Sequence, residues 1–189
     1  MSSFTRQAIM DSFLRLLERK PFGKITVRDI VEECGVNRTT FYYYYQDIYA
    51  IVEDLVASAL SPYVAALSGS VSPADLRDAR DFATMHRKAL LGLYTSLGHE
   101  ETRRYVFAVL DAPLYAFIER NAVGLTIAAP RLRSAFLLLR ETLFGALGLF
   151  LRGELPEEGG FPLTVTGGTV RRFLERIATN EVEGGVPHG

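Results

Sequence analysis

The chain has 189 residues, 48 % of them hydrophobic and 23 % charged, with a formal net charge of −1. That length can bury a sizeable core in one or two small domains, and the near-zero charge leaves no whole-chain basic excess for nucleic acid, so any basic surface must be local. The single cysteine, Cys34, excludes an internal disulfide framework and a multi-cysteine metal site, and it fits a reducing compartment.

The first segment, "MSSFTRQAIMDSFLRLLERK", carries charges throughout and does not read as a signal peptide. Ile9, Phe13, Leu16 and Leu17 recur at helical spacing, and Pro21 and Gly23 stop that helix. Thr26, with Asp29 three residues on, opens a short second helix, which Gly35 closes by taking a left-handed conformation. Asn37 caps a third helix, 38 to about 45. Asp47 opens a fourth, "IYAIVEDLVASALSPYVAAL", disturbed at Pro62 and ended by "SGSVSP". Further helices are expected at about 73–97, 100–122, 131–153 and 165–180, divided by Pro130 and by "GELPEEGGFP". The most apolar run, "FLLLRETLFGALGLFL", is interrupted by Arg140 and Glu141, too short and too charged to span a bilayer comfortably, so a cytoplasmic protein is expected. The fold class is all-α: a three-helix unit at 1–47, followed at 48–189 by a larger helical body for ligand or partner binding and dimerisation.

Two short helices joined by Cys34-Gly35-Val36 have the geometry of a helix-turn-helix. On a helical wheel the second of them places Arg38, Thr39, Tyr42 and Tyr43 on one side, Phe41 and Tyr44 on the other, and Thr40 at the border. The row "FYYYY" therefore splits into two populations, one packing inward and one facing out beside Arg38 and Thr39. Arg, Thr and Tyr suit a phosphate-lined groove: the guanidinium binds guanine or phosphate, and hydroxyls donate to phosphate oxygens. An all-core reading of the row is disfavoured, because the outward pair has no apolar neighbours at helical spacing.

These residues resemble the DNA-binding region of tetracycline-repressor (TetR)-like transcriptional regulators. Thr26, Asp29, Ile30, Gly35, Val36, Thr40, Phe41 and Tyr42 match the family pattern, over roughly residues 4 to 56. The resemblance implies an all-helical homodimer with recognition helices in successive major grooves and an effector-binding body. It also implies a repressor on a palindromic operator, controlled by a small molecule or a protein partner. The candidate DNA-binding set is Thr26, Arg28, Asn37, Arg38, Thr39, Thr40, Tyr42 and Tyr43. The chain departs from the pattern at Val31 and Cys34, where Ala is usual, at Tyr44 and Tyr45, where His and Phe are usual, and at Ile48, where a phosphate-touching Lys is common. Charge gives mild support: Arg6, Arg15, Arg19, Lys20, Lys24, Arg28 and Arg38 stand against Asp11, Glu18, Asp29, Glu32, Glu33 and Asp47, a net of +1. For good binding those carboxylates must lie away from the groove. Cys34 reads as a small turn residue, since it has no basic or His neighbour in sequence.

In the body, Val170, Phe173, Leu174 and Ile177 form one apolar stripe, and Phe136, Leu139, Leu143, Leu147 and Phe150 another, with Gly145 and Gly148 permitting close approach. The family likeness assigns both stripes to a dimer interface: Phe136, Leu143, Gly145, Leu147, Gly148 and Phe150, with Val170, Phe173, Leu174 and Ile177. Tyr63, Phe82, Met85, Tyr94, Phe107 and Tyr115, with Arg140, are candidates for an effector pocket and equally for plain core. His86 and His99 lack metal-ligand spacing, and no cofactor is expected. The chain lacks a G-x-S-x-G, a P-loop and a dinucleotide fingerprint, so a non-enzyme is expected. The rival reading is a helical adaptor that keeps the helix-turn-helix shape without binding DNA, distinguished by the absence of a salt-dependent shift of a palindromic duplex.

Overall fold

The structure, a computed structural model, describes residues 2–155 and 167–179. The described residues form α1 (Ser2–Arg19), α2 (Val27–Cys34), α3 (Arg38–Tyr44), α4 (Ile48–Leu67), α5 (Pro73–Met85), α6 (Arg87–Leu97), α7 (His99–Ala122), α8 (Ala129–Arg152) and α9 (Gly167–Thr179), with no strand among them. The expected all-α class is what is found. A 3-10 turn at Phe22–Lys24, which the periodicity did not show, bridges α1 and α2. The segment expected as one helix over 73–97 is two, broken at His86, whose φ of −98° and ψ of 15° leave the helical region.

The boundaries follow local chemistry. Thr26 and Asp29 form a reciprocal capping box on α2, and Gly35 closes it at φ 72°, a conformation that costs a side-chain-bearing residue and costs glycine nothing. Asn37 accepts from the Thr40 N–H at 2.7 Å and Asp47 from the Ala50 N–H at 2.9 Å, fixing the starts of α3 and α4. Ser72 and Asp75 repeat the capping box on α5. Arginines satisfy carbonyls that helix C-termini leave open: Arg120 donates to Leu67 O, Arg131 to Ile177 O, and Arg171 to Asn121 O and Val123 O.

Two cores result. The first gathers Ile9, Phe13 and Leu17 of α1, Ile30 of α2, Phe41 of α3, Ile51 and Leu55 of α4, Leu93 of α6 and Tyr105 of α7. The second gathers the far half of α4 with α7, α8 and α9. Helix α4 thus belongs to both. Helix α6 also holds the N-terminal helices: it packs along α1, and a Cβ on Gly92 would stand 3.4 Å from Leu17 O, so the two backbones approach closely. α4 and α8 are long and apolar enough to cross a bilayer by length and composition. Both pack among the other helices, where Leu55 and Tyr63 of α4 and Leu143 and Leu151 of α8 are buried.

Candidate nucleic-acid interface

The aromatic row divides as the wheel required, with one addition. Phe41 is fully buried, Tyr44 half-buried, and Tyr42 and Tyr43 are 56 % and 79 % exposed. Tyr45, at the end of the expected helix and assigned to neither face, turns inward to 4 % exposure. It does so because α3 ends at Tyr44: Tyr45 is extended, at φ −136° and ψ 128°, and leaves the helical period. Its hydroxyl donates to the Asp54 carboxylate on α4, which also receives Nε (2.9 Å) and Nη2 of Arg6 on α1. One carboxylate therefore ties the end of the recognition helix to α4 and α1. Burial, with Asp54 as acceptor, pushes the Tyr45 phenol well above its ordinary range.

The outward face is built on this base. Arg38, Thr39, Tyr42 and Tyr43 are exposed on α3, with Thr40 half-buried at the border. Asn37 and Thr26 are exposed and serve as caps, so their side-chain oxygens hold helix N-termini in place. Arg28 extends from α2, 72 % exposed, and pairs with Glu32 at 2.7 Å. The other α2 carboxylates are drawn off by α1 and the residue after it. Glu33 takes Arg15 and Arg19, each at 3.0 Å, and both guanidiniums hold its carboxyl below the usual range. Asp29 takes Lys20 at 2.7 Å, and that ammonium together with the Thr26 hydroxyl and N–H lowers it to about 2. Ile48 is half-buried against the first core, and so is Cys34, whose Sγ lies 3.9 Å from Val31 O.

The body candidates do not form one group. Tyr63 and Tyr94 line an apolar cavity of about 80 Å³ among α4 to α8. Phe82 instead stacks on His86, 4.7 Å between ring centroids, and borders a separate open cleft beside Arg6, Tyr43 and Tyr44. Met85 is 74 % exposed, and Tyr115 packs edge-on to Phe136 at the surface. Phe107 lies under the Arg140 guanidinium at 4.2 Å. Arg140 bridges Asp111 and Glu141, and Glu141 also takes Arg103, so this network clamps α7 to α8 outside the cavity.

Of the residues assigned to a dimer surface, Leu143, Gly148, Phe150, Val170 and Leu174 are buried within the chain itself. Gly148 is spent on Tyr94, whose hydroxyl would stand 3.0 Å from a Cβ there. Gly145 is open to the surface, and Phe136, Leu147, Phe173 and Ile177 are half-buried. The apolar residues actually presented by α8 are Leu137, Leu138 and Leu149.

A capped helix pair meeting at a left-handed glycine, with a rigidly braced second helix that exposes Arg, Thr and two Tyr, defines a helix-turn-helix protein. Residues 9–55 match the profile of the family described as bacterial regulatory proteins, tetR family. Over 201 aligned residues the chain is 26 % identical to "HTH-type transcriptional regulator EthR" of Mycolicibacterium smegmatis (strain ATCC 700084 / mc(2)155), covering 96 % of this chain and 88 % of that relative. Residues 9–55 thus have the helix-turn-helix profile of tetR-type regulators, as the sequence resemblance implied, and the chain is similar to a helix-turn-helix transcriptional regulator along nearly its whole length.

Proposed function

We propose that this protein is a cytoplasmic repressor that binds a palindromic operator as a homodimer and releases it in response to an effector held in the helical body. Residues 1–47 then carry DNA contact, and 48–189 carry dimerisation and sensing. The observation that carries the reading is the braced outward face of α3. Arg38, Thr39, Tyr42 and Tyr43 are exposed while Asp29 and Glu33 are tied to Lys20, Arg15 and Arg19, which keeps those carboxylates paired. Thr26, Asn37 and Thr40 position helix N-termini for phosphate, and Arg28 reaches a base once it leaves Glu32. The apolar faces left over on α8 and α9, Leu138, Gly145 and Leu149 with Phe173 and Ile177, supply the two-fold contact.

In such a dimer the recognition helices must meet major grooves ~34–36 Å apart. Because α4 is shared by both cores, a shift of its far end near Tyr63 swings the DNA-reading unit and spoils that spacing. Selection of bound duplexes from a random pool tests the reading. A recovered motif with two-fold symmetry, bound with steep salt dependence, is expected; enrichment of no motif would refute it and leave the adaptor reading.

A further inference from the structure

A cleft that the proposed function leaves unused opens where the DNA-binding unit meets the body. Helices α1, α3, α4 and α5 border it, and its volume is about 740 Å³, within the range of small-molecule sites. It is not the apolar cavity. Leu55 and Ala59 of α4 stand between the two spaces, and Ser58, Pro62 and Phe82 line the cleft and not the cavity.

The electrostatics of this cleft are one-sided. Arg6 and Asp54 are the ionised groups among the described residues that line it. Asp54 is covered: its side chain is 13 % exposed, and its carboxylate already accepts from Arg6 Nε, Arg6 Nη2 and the Tyr45 hydroxyl. Arg6 is uncovered, at 57 % exposure, and its Nη1 group donates to no described residue. The negative end of the pair is therefore saturated, and the positive end is open. The hydroxyls of Tyr43, Tyr44 and Ser58 have no hydrogen-bond partner among the described residues and add donors at the same cleft. A guanidinium edge beside free hydroxyls suits a carboxylate, which accepts charge-assisted hydrogen bonds from both.

The remaining lining suits a flat ring. Phe82 is braced by His86, 4.7 Å between centroids, and Tyr44 stands edge-on to Tyr43, at 5.0 Å and 88°. Met10 and Pro62 add apolar surface beside these rings. Braced aromatic rings and a thioether favour an aromatic guest over a saturated one. Tyr43 also belongs to two surfaces: it is exposed on the outward face of α3, and it lines the cleft. An anion seated at Tyr43 repels the phosphate that must approach the same side chain, with no movement of the body required.

We propose that this cleft is a site for an aromatic carboxylate, with the acid on the free edge of Arg6 and the ring against Phe82 and Tyr44, and that its occupancy competes with DNA at Tyr43. The competition rests on the DNA-binding reading above, whereas the site does not.

The test uses three probes on the full chain: 2-naphthoate, the neutral 2-naphthamide, and decahydro-2-naphthoate, which keeps the charge and loses the flat ring. The chain has no tryptophan, so naphthalene emission reads binding directly, and the saturated acid is read by displacement. 2-Naphthoate should bind about 5-fold more tightly than 2-naphthamide, the upper value for a partly exposed ion pair, and more tightly than decahydro-2-naphthoate. The selected duplex at saturation should weaken 2-naphthoate binding by about 5-fold or more. Ser58→Phe, which fills the cleft from an exposed position, should bind the duplex as the wild type does and lose 2-naphthoate. Ala79→Phe fills it from α5 and serves if the first variant does not fold. No binding of 2-naphthoate, or undiminished binding in the filled variant, would overturn the site. Equal binding of the acid and the amide would overturn the role of Arg6, and equal binding of the saturated acid would overturn the aromatic class. Unchanged 2-naphthoate affinity in the presence of bound duplex would overturn the competition. A chain that binds no duplex at all would remove the DNA-binding reading and the competition with it, while the probe titrations, run without DNA, still decide the site.

Discussion

Replacing Tyr45 by Phe isolates the clamp that seats the recognition helix. The ring remains, so its packing beside Phe41, 6.1 Å between centroids, is kept, and only the hydroxyl that donates to Asp54 is lost. Hydrogen bonds to charged acceptors contribute about 1.5–3 kcal/mol net. The lower part of that range applies here, because Arg6 still holds both Asp54 oxygens after the hydroxyl is gone. The expected loss is therefore about 1.5 kcal/mol, or roughly 3–6 °C in melting temperature for a chain of this size. Urea unfolding of the wild type, Tyr45→Phe, Asp54→Asn and the double variant closes a cycle. The two substitutions should be coupled by at least ~0.5 kcal/mol, because they share one hydrogen bond. The variant should also bind the selected duplex more weakly, since the C-terminal end of α3 is less firmly placed. Additive effects in the cycle, or a Tyr45→Phe protein as stable as the wild type, would show that the hydroxyl contributes nothing and that the helix is seated by packing alone.

Tyr42→Phe should weaken binding to all duplexes by roughly 1 kcal/mol, whereas Arg38→Ala or Arg28→Ala should cost about 1–3 kcal/mol and relax preference at one base pair per half-site; competition against substituted duplexes separates the two patterns. Leu138→Glu combined with Leu149→Glu should sediment as a monomer, and a persisting dimer would place the interface elsewhere. Acid should loosen α2. Asp29 is held at about 2, below its ordinary 3.8, so its contribution is complete above pH 4 and disappears as the pH falls through about 2. The melting temperature should drop over that interval, and Asp29→Asn should flatten the drop.

Much of the N-terminal unit was legible because its signals are local. Thr26 with Asp29, Gly35 and Asn37 each fix a helix end by chemistry within three residues, and the split of Phe41 from Tyr42 and Tyr43 needs only the helical period. The inward turn of Tyr45 was not legible because the period stops at Tyr44, and its partners, Arg6 and Asp54, are distant in sequence. The break at His86 was hidden for a related reason: no Gly or Pro marks it, and its N–H still bonds Phe82 O, so the interruption is set by packing. The apolar stripes of the last helices were visible, but their direction was not. Periodicity shows that Leu143, Gly148 and Leu174 share a face with neighbours, and only the packing of α7 and Tyr94 shows that this face is turned inward. The effector candidates scattered because aromatic residues in a helical body serve core, surface and cavity alike.

The shallow burial of α5 has a consequence for local unfolding. The helix packs against α4, with Leu76, Ala79 and Ala83 partly buried on the second core, and it buries no residue completely. Opening it exposes little apolar surface, so its opening free energy lies far below that of the whole chain. Its amides should exchange with deuterium well ahead of those in α1, α4 and α7. Under native conditions trypsin should nick after Arg77 or Arg80 while leaving the helix-turn-helix intact.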